Sequence, residues 1–127
     1  MTKATPAQIR KLAGLSQLTE LALEARLADL RKAARARDAT KAALAELAGP
    51  RSIPNAEVSL AAFARADLLY DRWVERRRSE MNLQLARQTA IWLEQRSTTA
   101  LAFGRNDVLT KLTDQLRNQL SMQSKRS

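Results

Sequence analysis

The chain has 127 residues, one domain's worth, with 22 Lys and Arg against 13 Asp and Glu and a formal charge of +9. It has no Cys and no His, which excludes disulfides, thiol catalysis and thiolate metal sites and removes the commonest general base and metal ligand. Hydrophobic residues make up 45 % but aromatics only 4 %, and Gly and Pro number 3 each, so long helices with a thin Leu/Ala seam are expected instead of a thick core.

The first twenty residues contain Lys3, Arg10, Lys11 and Glu20 and no apolar run. No signal peptide or membrane span is expected there, and a cytoplasmic location follows by default. Thr5-Pro6-Ala7-Gln8 reads as a helix start: Thr5 caps, Pro6 suits the first helical position, and Gln8 completes a capping box. A helix over about 6–48 follows. Gly14 loosens it near its start, at ~1 kcal/mol relative to Ala. Leu23, Leu27, Leu30, Ala34 and Arg37 step by four and three, the spacing of a coiled-coil seam. Ala48-Gly49-Pro50 ends this helix, because Gly closes a C-terminus and Pro cannot continue it.

The turn spans 49–55, and Ser52 or Asn55 caps the next helix with Glu57 in its first turn. That helix runs over about 56–103. Beyond it there are two readings: it continues, or it breaks at Gly104 into a short third helix over 107–120 capped by Asn106 or Asp107. Val108, Leu109, Leu112, Leu116 and Leu120 form an amphipathic stripe in that last stretch. The tail 121–127 is expected to fray. The fold class is therefore all-α: a single domain, 1–127, built as a long antiparallel two-helix coiled-coil hairpin, with or without a short C-terminal helix. Such a hairpin buries little surface per residue and is expected to gain stability from a partner.

Charge suggests a register. With the turn centred near residue 52, position i lies opposite about 104 − i, which sets Arg31, Lys32, Arg35 and Arg37 against Asp67 and Asp71. Glu75 and Glu80 sit among arginines on a helix surface, where no cleft is expected to shift a carboxyl group toward acid–base work. No glycine-rich phosphate loop, nucleophile elbow or dinucleotide fingerprint occurs. The chain reads as a non-enzyme with no catalytic, cofactor-binding or metal-ligating residues.

The net charge is what a phosphate-binding surface shows, with Arg76-Arg77-Arg78 and the Arg31 to Arg37 cluster as contacts. Successive helical residues point about 100° apart, however, so the triplet spreads around the helix. Phe63 and Tyr70 share a face, Leu69 and Trp73 lie on an adjoining stripe, and Trp92 and Phe103 lie further along. These rings either fill the seam or anchor a partner. Phe63, Tyr70, Trp73, Arg76, Arg77, Arg78, Leu109, Leu112 and Leu116 are the candidate partner-contact residues. Gln84, Gln88, Thr89, Gln95, Ser97, Thr98 and Thr99 make the second helix unusually polar, which marks either a splayed stretch or a partner site.

A small, basic, cysteine-free chain with one long hairpin, adjacent termini and a short Gly-Pro turn resembles the FliJ/YscO family, the stalk components of flagellar and type III secretion export ATPases. The resemblance is architectural and covers about Pro6 to Leu120. The stretch from Leu85-Ala86-Arg87 through Ala102-Phe103-Gly104-Arg105 is similar to such proteins from alphaproteobacteria, while the first arm is shorter than the family's. The resemblance implies a non-catalytic role linking the export ATPase ring to the export gate, with chaperones as further partners, no membrane insertion, and a cytoplasmic place at the periphery of a membrane-bound export complex. It implies a ring-facing end of about Ala7 to Leu21 with Ala90 to Leu116, and a gate-facing surface including Phe63, Tyr70 and Trp73. The alternatives are a basic helical nucleic-acid-binding or nucleoprotein-associated protein, and an unrelated coiled-coil scaffold or phage-type accessory protein. Monomer and dimer both remain open at this point.

Overall fold

The computed structural model describes residues 5–49 and 59–126. They form two helices, α1 (Pro6–Leu47) and α2 (Leu60–Arg126), which pack against each other as an all-α helical hairpin. The start of α1 is the expected capping box. The Gln8 backbone N–H donates to Thr5 Oγ1 at 3.3 Å, and the Thr5 N–H donates back to Gln8 Oε1 at 3.2 Å. Two of the donors that a helix start leaves open are thereby satisfied. α1 stops where expected: Ala48 and Gly49 close it with tightened bonds to Ala45 and Glu46 carbonyls. A Cβ at Gly49 would lie 3.1 Å from the Glu46 carbonyl oxygen, so this turn favours glycine for space.

The start of α2 departs from expectation within the described residues. Ser59 is its cap: its Oγ accepts from the Ala62 N–H at 3.2 Å, and its carbonyl accepts the first helical bond from Phe63. Only Ser52 and Asn55 were expected as caps; Ser59, a small hydroxyl residue that caps equally well, was passed over. The proposed turn, apart from Gly49, and the caps Ser52 and Asn55 lie outside the described residues.

At the other end, α2 settles two expectations. It runs unbroken for 67 residues through Gly104, so there is no separate 107–120 helix, and it continues to Arg126 where a frayed tail was expected. One glycine costs a long helix only ~1 kcal/mol, too little to break it while both sides remain helical. Asp107, read as a cap, instead pairs with Lys111 at 2.9 Å along the helix. Lys125 and Arg126 in the last turn complement the helix dipole, which favours extension of the helix to its end.

Packing divides the chain into two units, Met1–Lys32 with Leu93–Ser127, and Ala33–Trp92. In the first, Thr19 Oγ1 lies 3.1 Å from Asn106 Oδ1, and Thr99 Oγ1 lies 3.3 Å from the Arg26 carbonyl oxygen. Both pairs run antiparallel and set position i opposite about 125 − i. In the second unit the Arg37 guanidinium lies 4.1 Å from the Trp92 ring centroid, a register of about 129 − i. The charge-matched register of 104 − i is therefore wrong. Arg37–Asp38, Arg77–Glu80, Arg78–Glu75 and Lys111–Asp107 are ion pairs that each join two residues of one helix. Exposed charges contribute too little to choose a register against the packing of the seam.

In each unit the seam follows a three-four pattern. On α1 the buried or half-buried positions include Ile9, Leu12, Ser16, Thr19, Leu23, Leu30, Arg37, Thr40, Leu44 and Leu47. On α2 they include Val74, Arg78, Met81, Leu85, Gln88, Trp92, Gln95, Thr99, Ala102, Asn106, Leu109, Thr113, Leu116 and Leu120. Leu23, Leu27, Leu30, Ala34 and Arg37 are all half-buried, as their spacing predicted. What the pattern conceals is polarity: the most buried polar residues, Thr40, Thr99 and Thr113, are as deep as the buried apolar ones, Ile9, Val74 and Met81. The threonines turn their hydroxyls onto carbonyls one turn back, Ala36, Gln95 and Leu109, which satisfies them within their own helix.

Candidate interaction surface

With so many polar side chains in the seam, much of the apolar surface faces outward. In the first unit Leu15, Leu18 and Leu21 of α1 and Leu101, Phe103, Val108 and Leu112 of α2 are exposed, several by more than half. The expected C-terminal stripe thus splits: Leu109, Leu116 and Leu120 enter the seam while Val108 and Leu112 stay outside it. The reason is phase. The seam repeats at Asn106, Leu109, Thr113 and Leu116, leaving Val108 and Leu112 on its flank.

Two grooves follow the seam on opposite flanks of this unit. One, of about 600 Å³, is lined by Thr19, Ala100, Leu101, Gly104, Arg105, Val108 and Leu109. The other, of about 180 Å³, is lined by Ala13, Ser16, Gln17, Thr110, Thr113, Asp114 and Arg117. The first is wide and mostly apolar, the second narrow and polar. Gly104 contributes to the width, since a Cβ there would meet nothing within 4 Å.

The second unit carries the other candidate contacts. Phe63, Tyr70 and Trp73 are exposed, at 38 %, 42 % and 47 %, so these rings do not fill the seam. Tyr70 and Trp73 meet at 5.8 Å between ring centroids, their planes tilted by 34°. Although one turn apart on stripes that were read as separate, they form one aromatic pair. Trp92 is the ring that does enter the seam, half-buried beneath Arg37. A groove of about 520 Å³ runs along Leu69, Asp71, Arg72, Glu75 and Arg76.

The arginine triplet spreads around the helix as its spacing predicted. Arg76 lines that groove, Arg77 reaches Glu80 at 3.6 Å, and Arg78 sits half-buried at the seam and bonds Glu75 at 3.2 Å. Glu75 and Glu80 are therefore partners of arginines on an exposed helix surface. Among the described residues no group of acidic side chains is placed to hold a metal ion, and no helix is long and apolar enough to cross a membrane.

Three residues of the seam escaped the sequence reading as a group. Arg37 Nε, Gln88 Oε1 and Gln95 Oε1 are shielded from solvent without a hydrogen-bond partner. Arg37 keeps part of its charge compensated by Trp92 beneath it and by Asp38, whose Oδ1 is 3.6 Å from its Nε. The seven-residue spacing of Gln88 and Gln95 was the available signal.

These features define a class: a helical hairpin with a polar seam and exposed apolar flanks. Comparison with protein-family models, curated proteins and solved structures found no match to this chain.

Proposed function

We propose that the chain is a non-catalytic coiled-coil stalk or adaptor of a bacterial flagellar or type III protein-export apparatus, linking the export ATPase to the export gate. The observation that supports this reading most is the inversion of its apolar surface. Among the described residues Ile9, Val74 and Met81 are the buried hydrophobic ones, while Leu15, Leu18, Leu101, Val108, Trp73 and others of comparable size lie exposed on both helices. A chain that leaves this much apolar side chain in water is stabilised when other proteins cover it. In this reading the flank carrying Leu15 and Leu112 faces one partner and the Phe63, Tyr70 and Trp73 surface another. The protein would then work at the periphery of a membrane-bound complex.

The test is capture of the tagged chain from its own host's lysate, washed at high salt, treated with nuclease and read by mass spectrometry. The expected result is recovery of a hexameric export ATPase or an export-gate protein. Recovery of nucleic-acid-dependent material alone, lost on nuclease treatment, would replace this reading with phosphate binding by the basic surface.

A further inference from the structure

We propose that the wide groove on the first unit is a docking site for an acidic amphipathic helix of another protein. Its floor is the seam itself, where Thr19 and Asn106 are hydrogen-bonded at 3.1 Å. Its walls are apolar. Leu101 and Val108 line it, and Leu15, four residues before Thr19 and so on the same flank of α1, extends it opposite Leu112. From Leu101 to Leu112 the wall is about 16 Å long, the span of roughly three helical turns.

Gly104 is the informative residue. It lies inside α2 without a positive φ, and a Cβ there would meet nothing within 4 Å, so the fold of this chain gives no reason for it. It still costs the helix ~1 kcal/mol relative to Ala. A bare backbone facing an apolar groove lets a second helix approach closely, as small residues do at helix crossings.

Charge selects the occupant. Lys11, one turn from Leu15, and Arg105, in the groove wall, are exposed cations, and among the described residues neither has an ion-pair partner. Of the carboxylates nearby, Asp114 lines the opposite groove, Asp107 is taken by Lys111, Glu20 lies a hundred degrees round the helix from Thr19, and Glu94 lies on the groove's flank but about 10 Å beyond Leu101, outside the wall. An apolar trough rimmed by unpaired cations complements a helix with an apolar stripe flanked by Asp or Glu. A second copy of this chain fits poorly, because a two-fold contact would set the same cations against each other on proteins of +9 charge.

The preference can be read with synthetic peptides on the full chain, independently of the apparatus it serves. Three labelled peptides of about 18 residues suffice: a Leu-striped helix flanked by Glu, the same helix flanked by Lys, and a scramble of the first. By fluorescence anisotropy the Glu-flanked helix is expected to bind at least about tenfold tighter than either control. Lys11→Glu with Arg105→Glu should reverse the preference between the Glu- and Lys-flanked helices. Gly104→Leu should cost about tenfold or more in binding while thermal stability holds or rises, so misfolding cannot explain the loss. Equal binding of the striped and scrambled acidic peptides would overturn the proposal by reducing it to net charge. So would sedimentation showing a dimer that Gly104→Leu abolishes, which assigns the face to a second copy. Displacement of the acidic peptide by a DNA duplex whose own binding is lost in the Lys11→Glu, Arg105→Glu protein would equally overturn it, in favour of phosphate.

Discussion

Thr5 and Gln8 show how far a short motif can be trusted when both partners are local. Each satisfies the other's backbone N–H, with no help from the rest of the fold. Thr5→Ala should lower stability by about 1 kcal/mol, read as a lower urea midpoint at unchanged slope. The three glycines separate for reasons that only coordinates supply. Gly14 sits inside α1 with open space around its missing Cβ, whereas a Cβ on Gly49 would press on the Glu46 carbonyl. Gly14→Ala is thus expected to stabilise by up to ~1 kcal/mol and Gly49→Ala to give no such gain, a contrast measurable in one pair of denaturation curves. A gain at both positions would contradict the crowding seen at Gly49.

At the scale of the element, α2 is one helix because no single residue within it is costly enough to end it. Ser59 begins it, and Gly104 passes within it. Its seam was legible only where it was apolar. On α1, Leu23, Leu27 and Leu30 announced the stripe, but on α2 the same three-four rhythm passes through Arg78, Gln88, Gln95, Thr99, Asn106 and Thr113. Hydrophobic periodicity has no means of detecting a stripe written in polar residues. Those residues bear on specificity. A polar side chain at a seam position costs stability while restricting register and strand number. Gln95→Leu removes a carbonyl oxygen that is buried without a partner, so it should raise unfolding free energy by about 1 kcal/mol. It should also add higher oligomers in sedimentation velocity, and a destabilised, strictly unchanged species would argue against a register role for the glutamine.

For the whole molecule, register is the property on which everything outside the seam depends. A shift from 104 − i to about 125 − i decides which outward side chains of the two helices share a flank, and so which groove exists. Engineered cysteines test it directly. Leu23→Cys with Ala102→Cys falls midway between the Thr19–Asn106 and Arg26–Thr99 contacts and should cross-link on mild oxidation. Arg35→Cys with Leu69→Cys, which charge matching would join, should not. The reverse pattern would restore the charge-matched hairpin and dissolve the proposed groove.

Helicity, the start of α1 at Pro6 and its close at Gly49, the seam through Leu23 to Arg37 and the dispersal of the arginine triplet were all legible in the sequence. Each of these follows from interactions within a few residues, where spacing and side-chain chemistry are sufficient causes. The sequence also placed Phe63, Tyr70 and Trp73 among possible anchors, but it did not show them exposed, since rings filling the seam fit the same pattern. The tertiary structure alone decided the register, the polar make-up of the second half of the seam, the exposure of Val108 and Leu112, and the meeting of Thr19 with Asn106. Those depend on contacts between residues far apart in the chain, and two helices can slide past one another by a heptad without changing either local pattern. What picks one position is the summed fit of many weak pairings across the seam.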